Sequence, residues 1–239
     1  MLGRSDGGGI RELRRRTAAG AGAGPNLFAG LNTYTDVGIY GDWHDPAGQP
    51  HRDNARSRGD LEPDVTVRRE GTKLILGFTG TFRGSYGDGL DVQRPYSWYR
   101  HEYVLDDSPV IRLRLGFRPH SSLPPGELKA FAAHYTDLPA ATAWRAAGVD
   151  GVAQQPAKST SRDRVWQSKQ HGGLAPGGFR FTDAGGWLDV QVTGGEALQN
   201  AFLCDNGGQL ALFLAPFDLE PATVTPRWYE TEVALEVGP

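Results

Sequence analysis

The chain has 239 residues, a length at which all-β sandwiches often form one domain, so we expect a single β-sandwich domain over residues 1–239. Its 33 glycines and 16 prolines make up about a fifth of the chain and exclude a protein built mainly from long helices. The net charge of −3 is not the broad positive excess of a general nucleic-acid binder. With no membrane-length apolar run and no visible signal peptide, we expect a soluble protein without nucleic-acid or membrane partners.

Hydrophobic alternation predicts strands along most of the chain. The predicted strands are 65–69, 73–79, 98–105, 110–119, 128–133, 179–182, 187–193, 209–215 and 230–237. The segment 110–119 has the clearest pattern, that of a strand with one face in a core and one in solvent. The residues expected on its buried face are Ile111, Leu113, Leu115 and Phe117, and those expected on its outer face are Arg112, Arg114 and Arg118.

A loop rich in charged and aromatic residues is expected at 41–63. His44 titrates in the range that suits general acid or base catalysis, and Trp43 offers a flat apolar face to a sugar ring. His51 and Arg52 are candidates for binding polar groups of the substrate. An ordinary surface loop is an equal alternative, because turns use Asp, Asn and Gly heavily. Recognisable metal-ligand spacing is missing, so we expect no metal or other cofactor, although loop carboxylates leave calcium open.

The strand predicted at 98–105 carries a phenol and an imidazole on one face. Period two places Tyr99 beside His101, where the two could transfer protons to and from a substrate as catalytic residues. An aromatic strand that packs against its neighbours is the favoured alternative. His134, which follows the strand predicted at 128–133, is a further catalytic candidate.

The outward face of 110–119 is a candidate for substrate binding. Arg114, between Arg112 and Arg118, has a planar guanidinium that can bind a carboxylate or sulfate of an acidic polysaccharide through two parallel hydrogen bonds. A solvated charged sheet face is the favoured alternative.

One helix is predicted, at 139–147, where Pro139 precedes residues of favourable helix propensity. Strands and long helices do not alternate along the chain, which disfavours parallel α/β folds. The expected fold class is therefore all-β: an antiparallel β-sandwich, supersandwich or jelly-roll-like, with at most one or two short helices.

The segment 164–171 combines an aromatic residue with polar side chains. Trp166 could stack on a sugar ring while Lys169 and His171 hydrogen-bond its hydroxyl groups. Burial is the more common state of a lone tryptophan. The single cysteine, Cys204, has no partner for a disulfide within the chain, and its apolar neighbours predict a place in the core.

A family resemblance rests on the opening residues and on the order of the strands. The features are Gly7-Gly8-Gly9-Ile10-Arg11-Glu12-Leu13, then Asn26-Leu27-Phe28, and the paired long strands 99–105 and 110–118. In this order of elements the chain resembles the galactose mutarotase-like β-supersandwich of aldose epimerases and of domains in polysaccharide lyases and glycosidases. The resemblance implies a carbohydrate-active domain. In such epimerases two histidines and a glutamate transfer protons, and in such lyases a tyrosine or histidine base acts beside an arginine or lysine.

Two classes of function follow. The first is a glycan-active enzyme that uses general acid/base catalysis. Lyase-like chemistry on an acidic polysaccharide is favoured over hydrolysis, because no carboxylate pair suited to hydrolysis stands out. The second is a noncatalytic carbohydrate-binding or accessory domain. Both take an oligo- or polysaccharide as partner, and both leave the oligomeric state open. A deep pocket with a titrating histidine favours the enzyme, whereas a shallow aromatic groove favours the binding domain.

Overall fold

The structure, a computed structural model, describes residues 2–3, 8–10, 12–14, 24–35, 43–44, 50–51, 55–56, 62–81, 97–119, 130–153, 163–172, 178–195, 198–205, 209–219 and 227–239. These residues form twenty strands and one short 3-10 helix at Ser168–His171, which confirms the all-β prediction. The strands in chain order are β1 (Leu2–Gly3), β2 (Gly9–Ile10), β3 (Leu13–Arg14), β4 (Asn26–Thr35), β5 (Trp43–His44), β6 (Pro50–His51), β7 (Ala55–Arg56), β8 (Asp64–Glu70), β9 (Lys73–Thr81), β10 (Ser97–Leu105), β11 (Val110–Pro119), β12 (Ala130–Leu138), β13 (Ala143–Ala146), β14 (Val149–Val152), β15 (Asp163–Gln167), β16 (Phe179–Asp183), β17 (Gly186–Gly195), β18 (Asn200–Asp205), β19 (Leu210–Leu219) and β20 (Tyr229–Gly238).

Two large antiparallel sheets contain most of these strands. One has nine strands in the order β14, β13, β16, β17, β20, β11, β10, β9 and β8. The other has seven strands, with β15, β18, β19, β12, β4 and β3 in order and β7 paired to β4. Two short antiparallel pairs, β1 with β2 and β5 with β6, complete the described elements.

The two large sheets pack face to face around one hydrophobic core. From the nine-stranded sheet, Leu113 and Leu115 of β11 are 1% exposed and lie in the same cluster as Leu212 and Leu214 of β19. Phe117 is also buried, while Ile111 is partly buried and the three arginines of β11 are exposed. The predicted orientation of this strand is therefore confirmed.

The seven-stranded sheet is apolar on both faces. Along β19, Leu212 and Leu214 point into the main core, whereas Phe213 lies in a second buried cluster on the opposite face. There its ring stacks on Phe202, with centroids 4.6 Å apart. Cys204 is 3% exposed in the same cluster, which confirms its predicted burial. Strands buried on both faces have nearly continuous apolar sequences, as β18 and β19 do.

The prediction of a helix at 139–147 is wrong. The chain forms strand β13 there, with Trp144 and Ala146 buried and Arg145 exposed, which is alternation of period two. β13 pairs with β16 on one side and, through a two-residue turn at Ala147 and Gly148, with β14 on the other. Helix propensity is a weak preference, and pairing on both sides of the strand outweighs it.

The turn between β13 and β14 contains a strained alanine. Ala147 has φ 47° and Gly148 has φ 79°, the left-handed pair that two-residue hairpin turns require. Alanine pays roughly 1 to 2 kcal/mol in this conformation, whereas asparagine adopts it readily. We therefore expect Ala147→Asn to raise the free energy of unfolding by about 1 kcal/mol, measured by urea denaturation.

Gly148→Ala is the matched control for that substitution. A Cβ at Gly148 would meet no atom within 4 Å, so its cost is that of the backbone conformation alone. We expect it to lower the free energy of unfolding by about 1 kcal/mol. Destabilisation by both substitutions would contradict the turn conformation at Ala147.

Candidate functional site

The outer face of the nine-stranded sheet is the face turned away from the seven-stranded sheet. Register places Trp98 opposite Arg118, Arg100 opposite Gly116 and Glu102 opposite Arg114. On the other side of β11, Gly116 lies opposite Glu230 and Arg114 opposite Glu232. The residues named in these pairs alternate with buried ones along each strand, so they form one polar and aromatic surface.

An ion-pair ladder crosses this outer face. The guanidinium of Arg114 lies 3.2 Å from Glu232 and 3.7 Å from Glu102. Glu102 also accepts a hydrogen bond of 2.9 Å from Arg68. Arg114, the predicted ligand for a substrate carboxylate, thus already lies between two carboxylates of the protein, and a substrate would have to displace one of them. Exposed pairs of this kind contribute only about 0 to 1 kcal/mol each.

Two half-buried tryptophans lie beside the ladder. The guanidinium of Arg118 is 5.4 Å from the ring centre of Trp98, and that of Arg100 is 4.8 Å from the ring centre of Trp228. Arg100 is held from its other side by an ion pair with Glu230. We call the set the tryptophan patch; its members are Trp98, Arg100, Gly116, Arg118, Trp228 and Glu230.

Gly116 makes the tryptophan patch compact. A Cβ at this position would lie 3.2 Å from the indole of Trp228 and 3.4 Å from the Cβ of Arg100. The missing side chain therefore lets the indole lie close to the backbone of β11. Trp228 belongs to none of the residue clusters that the sequence singles out, because its approach to Gly116 is a long-range contact.

Two other tryptophans also cover glycines. A Cβ at Gly238 would collide with the ring of Trp187, and one at Gly151 would collide with the ring of Trp144. Each is a cross-strand pair in which a large ring protects bare backbone. The abundance of tryptophan is thus explained in part by the construction of the sheet.

Three of the predicted catalytic residues lie in the interior of the sandwich. Tyr99 and His101 of β10 are 0% exposed, with ring centroids 5.1 Å apart, and His134 of β12 is 2% exposed. Burial, with a smaller effect of nearby His101, lowers the pKa of His134 to about 3. The two histidines belong to opposite sheets and come together within the core. Their catalytic role stays a prediction; within the described part of the structure all three side chains are buried.

A small cavity borders His134. It is lined by His134 and by apolar side chains of both sheets, among them Leu113, Leu212 and Val233. It offers about 10 Å³ to the centre of a water-sized sphere, at the lower limit for one water molecule. Ligand pockets are usually some 300 to 1,000 Å³, so this space does not hold a sugar ring.

The residues at 164–171 that were predicted to bind a sugar differ in their burial. Trp166 is 2% exposed; its ring stacks on His171, with centroids 5.5 Å apart, and meets Phe179 edge-on at 5.3 Å. It therefore presents no open face to a sugar, and the proposed stacking role is not supported. Lys169 and His171 are exposed at the end of the 3-10 helix and stay candidates for binding.

The remaining predicted residues lie in or near the β5–β6 hairpin. Backbone pairing places Trp43 opposite His51 and His44 opposite Pro50. The side chains of these residues lie outside the described part of the structure, as does the whole of Arg52. Their predicted roles are therefore not tested.

Within the described residues, no three His, Cys, Asp or Glu side chains come together as a metal site would require. Across the same part of the chain, no helix has both the length and the apolar character needed to cross a membrane.

The chain was also compared with known proteins. No protein-family model matches it, and no curated protein matches it significantly in sequence. The resemblance to the galactose mutarotase-like supersandwich therefore stays a prediction, and the functional inference rests on the chain's own surface.

Burial of His134 predicts that acid destabilises the protein. The unfolded histidine takes up a proton near pH 6.5, whereas the folded one does so only near pH 3. Its contribution to stability is fully present above pH 6.5 and is lost as the pH falls towards 3, at about 1.4 kcal/mol per pH unit.

The slope can be measured by denaturant unfolding at several pH values between about 7.5 and 5. His134→Leu replaces the imidazole beside the cavity with an apolar side chain of similar size and so removes the titrating group. We expect this variant to lose less stability per pH unit than the original protein, by about the amount given above. Equal slopes in the two proteins would contradict the burial of a neutral His134.

Proposed function

We propose that this chain is a noncatalytic carbohydrate-binding or accessory domain and that it binds a glycan at the tryptophan patch on the outer face of the nine-stranded sheet. The observation that carries the proposal is the pair of half-buried indoles, Trp98 and Trp228, on a face otherwise made of ordered polar side chains. Aromatic rings bind the apolar faces of pyranoses, and neighbouring polar groups bind their hydroxyls.

The spacing of the patch suits a chain of sugars. Trp98 lies opposite Arg118, and Trp228 covers Gly116, which is two residues before Arg118 in β11. Two residues of a strand span about 7 Å, and adjacent strands lie a further ~5 Å apart. The two rings therefore stand in neighbouring positions on the sheet, so that one extended glycan can contact both.

Polar groups surround the rings in fixed positions. Arg100 is held between the Trp228 ring and Glu230, and Arg118 lies over Trp98. A guanidinium donates several hydrogen bonds from a planar group, and a carboxylate accepts several, which together match the hydroxyl pattern of a sugar. Glu230 pairs with Arg100, whereas Arg118 lies over Trp98, so the patch carries one excess positive charge. The proposal therefore covers acidic as well as neutral glycans.

The binding function is favoured over the enzymatic one by the location of the titrating groups. His134, whose pKa is lowered by burial, lies in the core beside a cavity the size of one water molecule, and His101 is buried as well. The described aromatic residues that reach solvent lie on a sheet face. This is the combination of features that distinguishes a binding surface from a catalytic pocket.

The test begins with an array of acidic and neutral glycans and continues with calorimetric titration of the best-bound oligosaccharide. We expect Trp98→Ala and Trp228→Ala each to weaken binding about tenfold or more, since each removes a stacking surface. Trp187→Ala is the matched control, because Trp187 lies on the same outer face over Gly238, away from the patch. We expect it to leave the affinity within about twofold.

Two results would contradict the proposal. Binding to no glycan on the array, or equal affinity in the Trp98→Ala and Trp187→Ala variants, would remove the tryptophan patch as the site. Release of unsaturated uronides from an acidic polysaccharide, followed by absorbance, would show that the domain is a lyase and not a binding module.

A further inference from the structure

Strand β8 forms one edge of the nine-stranded sheet, and all seven of its residues, Asp64–Glu70, are exposed. β9 pairs with one side of β8, and no strand in the described ranges pairs with its other side. An edge strand of this kind presents backbone donors and acceptors on which a further strand can assemble.

The side chains of β8 are unusual for an edge in contact with water. Val65 is 43% exposed and Val67 is 65% exposed, and they are two of the three large apolar residues that are exposed in the described part of the chain. Both point to the inner side of the sheet, opposite Phe78 and Leu76 of β9. Charged residues at both ends of β8 protect this edge in the usual way, but the two valines between them leave an exposed apolar segment on an open edge.

We propose that β8 pairs antiparallel with β8 of a second copy of this chain, about a two-fold axis that passes through Thr66. A two-fold axis that relates two antiparallel edge strands is perpendicular to the joined sheet, so the outer faces of both copies lie on the same side of it. Directly opposite residues must therefore point to the same face. Since successive residues point to opposite faces, the axis passes level with one residue and its copy, and not between two successive residues.

The register centred on Thr66 is self-complementary. It sets Asp64 opposite Arg68 of the second copy and Val65 opposite Val67, and the two-fold axis repeats both pairs. Opposite charges and β-branched residues are favourable partners across a strand pair. Arg68 uses Nε and Nη1 for Glu70 and Glu102 of its own chain, and its Nη2 is not used by either contact.

Registers shifted towards the C-terminal end of β8 are less favourable. An axis through Val67 would set Asp64 against Glu70 and Val65 against Arg69, and an axis through Arg68 would set that residue against itself. Like charges directly opposite each other destabilise a strand pair. The Thr66 register has one kind of like-charge contact, Glu62 against Glu70, which the axis repeats once; Glu62 lies before the first residue of the strand.

Pairing in this register would join two nine-stranded sheets into one continuous sheet, with the two outer faces side by side. The inference does not depend on glycan binding, since it concerns an edge of the sheet and not its face. If both hold, the dimer would present two tryptophan patches on one surface, and the second contact with a long glycan would be intramolecular.

A charge swap tests the pairing by sedimentation at several protein concentrations. We expect the original protein to form dimers, and Asp64→Arg or Arg68→Asp each to raise the dissociation constant at least about tenfold, because each places two like-charge pairs in the interface. The double variant restores opposite charges in both pairs and should regain most of the affinity. A thermal melt of each variant shows that its monomer is folded.

A disulfide trap tests the register. In the Thr66→Cys variant the two thiols face each other across the axis at a separation that a disulfide can span. In the control Glu70→Cys they lie eight residue steps apart, about 27 Å. We expect covalent dimers under mild oxidation only for Thr66→Cys, since Cys204 is buried.

Three results would each overturn the proposal. The first is that the original protein remains monomeric at high concentration. The second is that the double charge variant dimerises no better than the single variants, and the third is that Glu70→Cys cross-links as readily as Thr66→Cys.

Discussion

The seven-stranded sheet carries apolar side chains on both faces, and this constrains what the rest of the molecule can do. Its strands β18 and β19 point alternate residues into the main core and into the second cluster around Phe202 and Phe213. Burial of each large side chain contributes about 1.5 to 3 kcal/mol to stability, so exposing either face to a ligand would cost a large part of the free energy of folding. Of the two large sheets, the nine-stranded one thus has the face that meets solvent.

That solvent-exposed face is ordered by interactions that are individually weak. The ladder through Arg68, Glu102, Arg114 and Glu232 balances charge along the sheet, and the guanidiniums of Arg100 and Arg118 lie over indole rings. Each contact contributes little to stability. Together they hold aromatic and polar groups in a fixed pattern, and a fixed pattern reduces the entropy lost when a ligand binds.

The strands of this fold could be predicted where alternation alone decides the structure. β11 was predicted with its bounds and both its faces, because its apolar residues alternate with arginines without interruption. The segment 139–147 could not be, since its alanines favour a helix locally while pairing with β14 and β16 decides the outcome. Local propensity contains no information about which strands will be neighbours.

The site was predicted less well than the fold for the same reason. Alternation correctly grouped Tyr99 with His101, but which face of β10 points inward depends on its neighbours in the sheet. The approach of His134 from the other sheet, and of Trp228 onto Gly116, are long-range contacts that no spacing in the sequence indicates. Tyr99, His101 and His134 were predicted as catalytic because their side chains can titrate, and in the structure all three lie in the core. The tryptophan patch could be recognised only from the structure.

Burial of His101 and His134 in the core is the observation that favours the outer sheet face over a catalytic pocket as the proposed glycan site. The most direct test is the rate of hydrogen–deuterium exchange at the imidazole C2 position of each histidine, resolved by mass spectrometry over a range of pH. The account predicts slow exchange at His101 and His134 and fast exchange at the exposed His171. Exchange at His101 and His134 as fast as at His171, titrating near neutral pH, would contradict it and would return both residues to a solvent-open catalytic site.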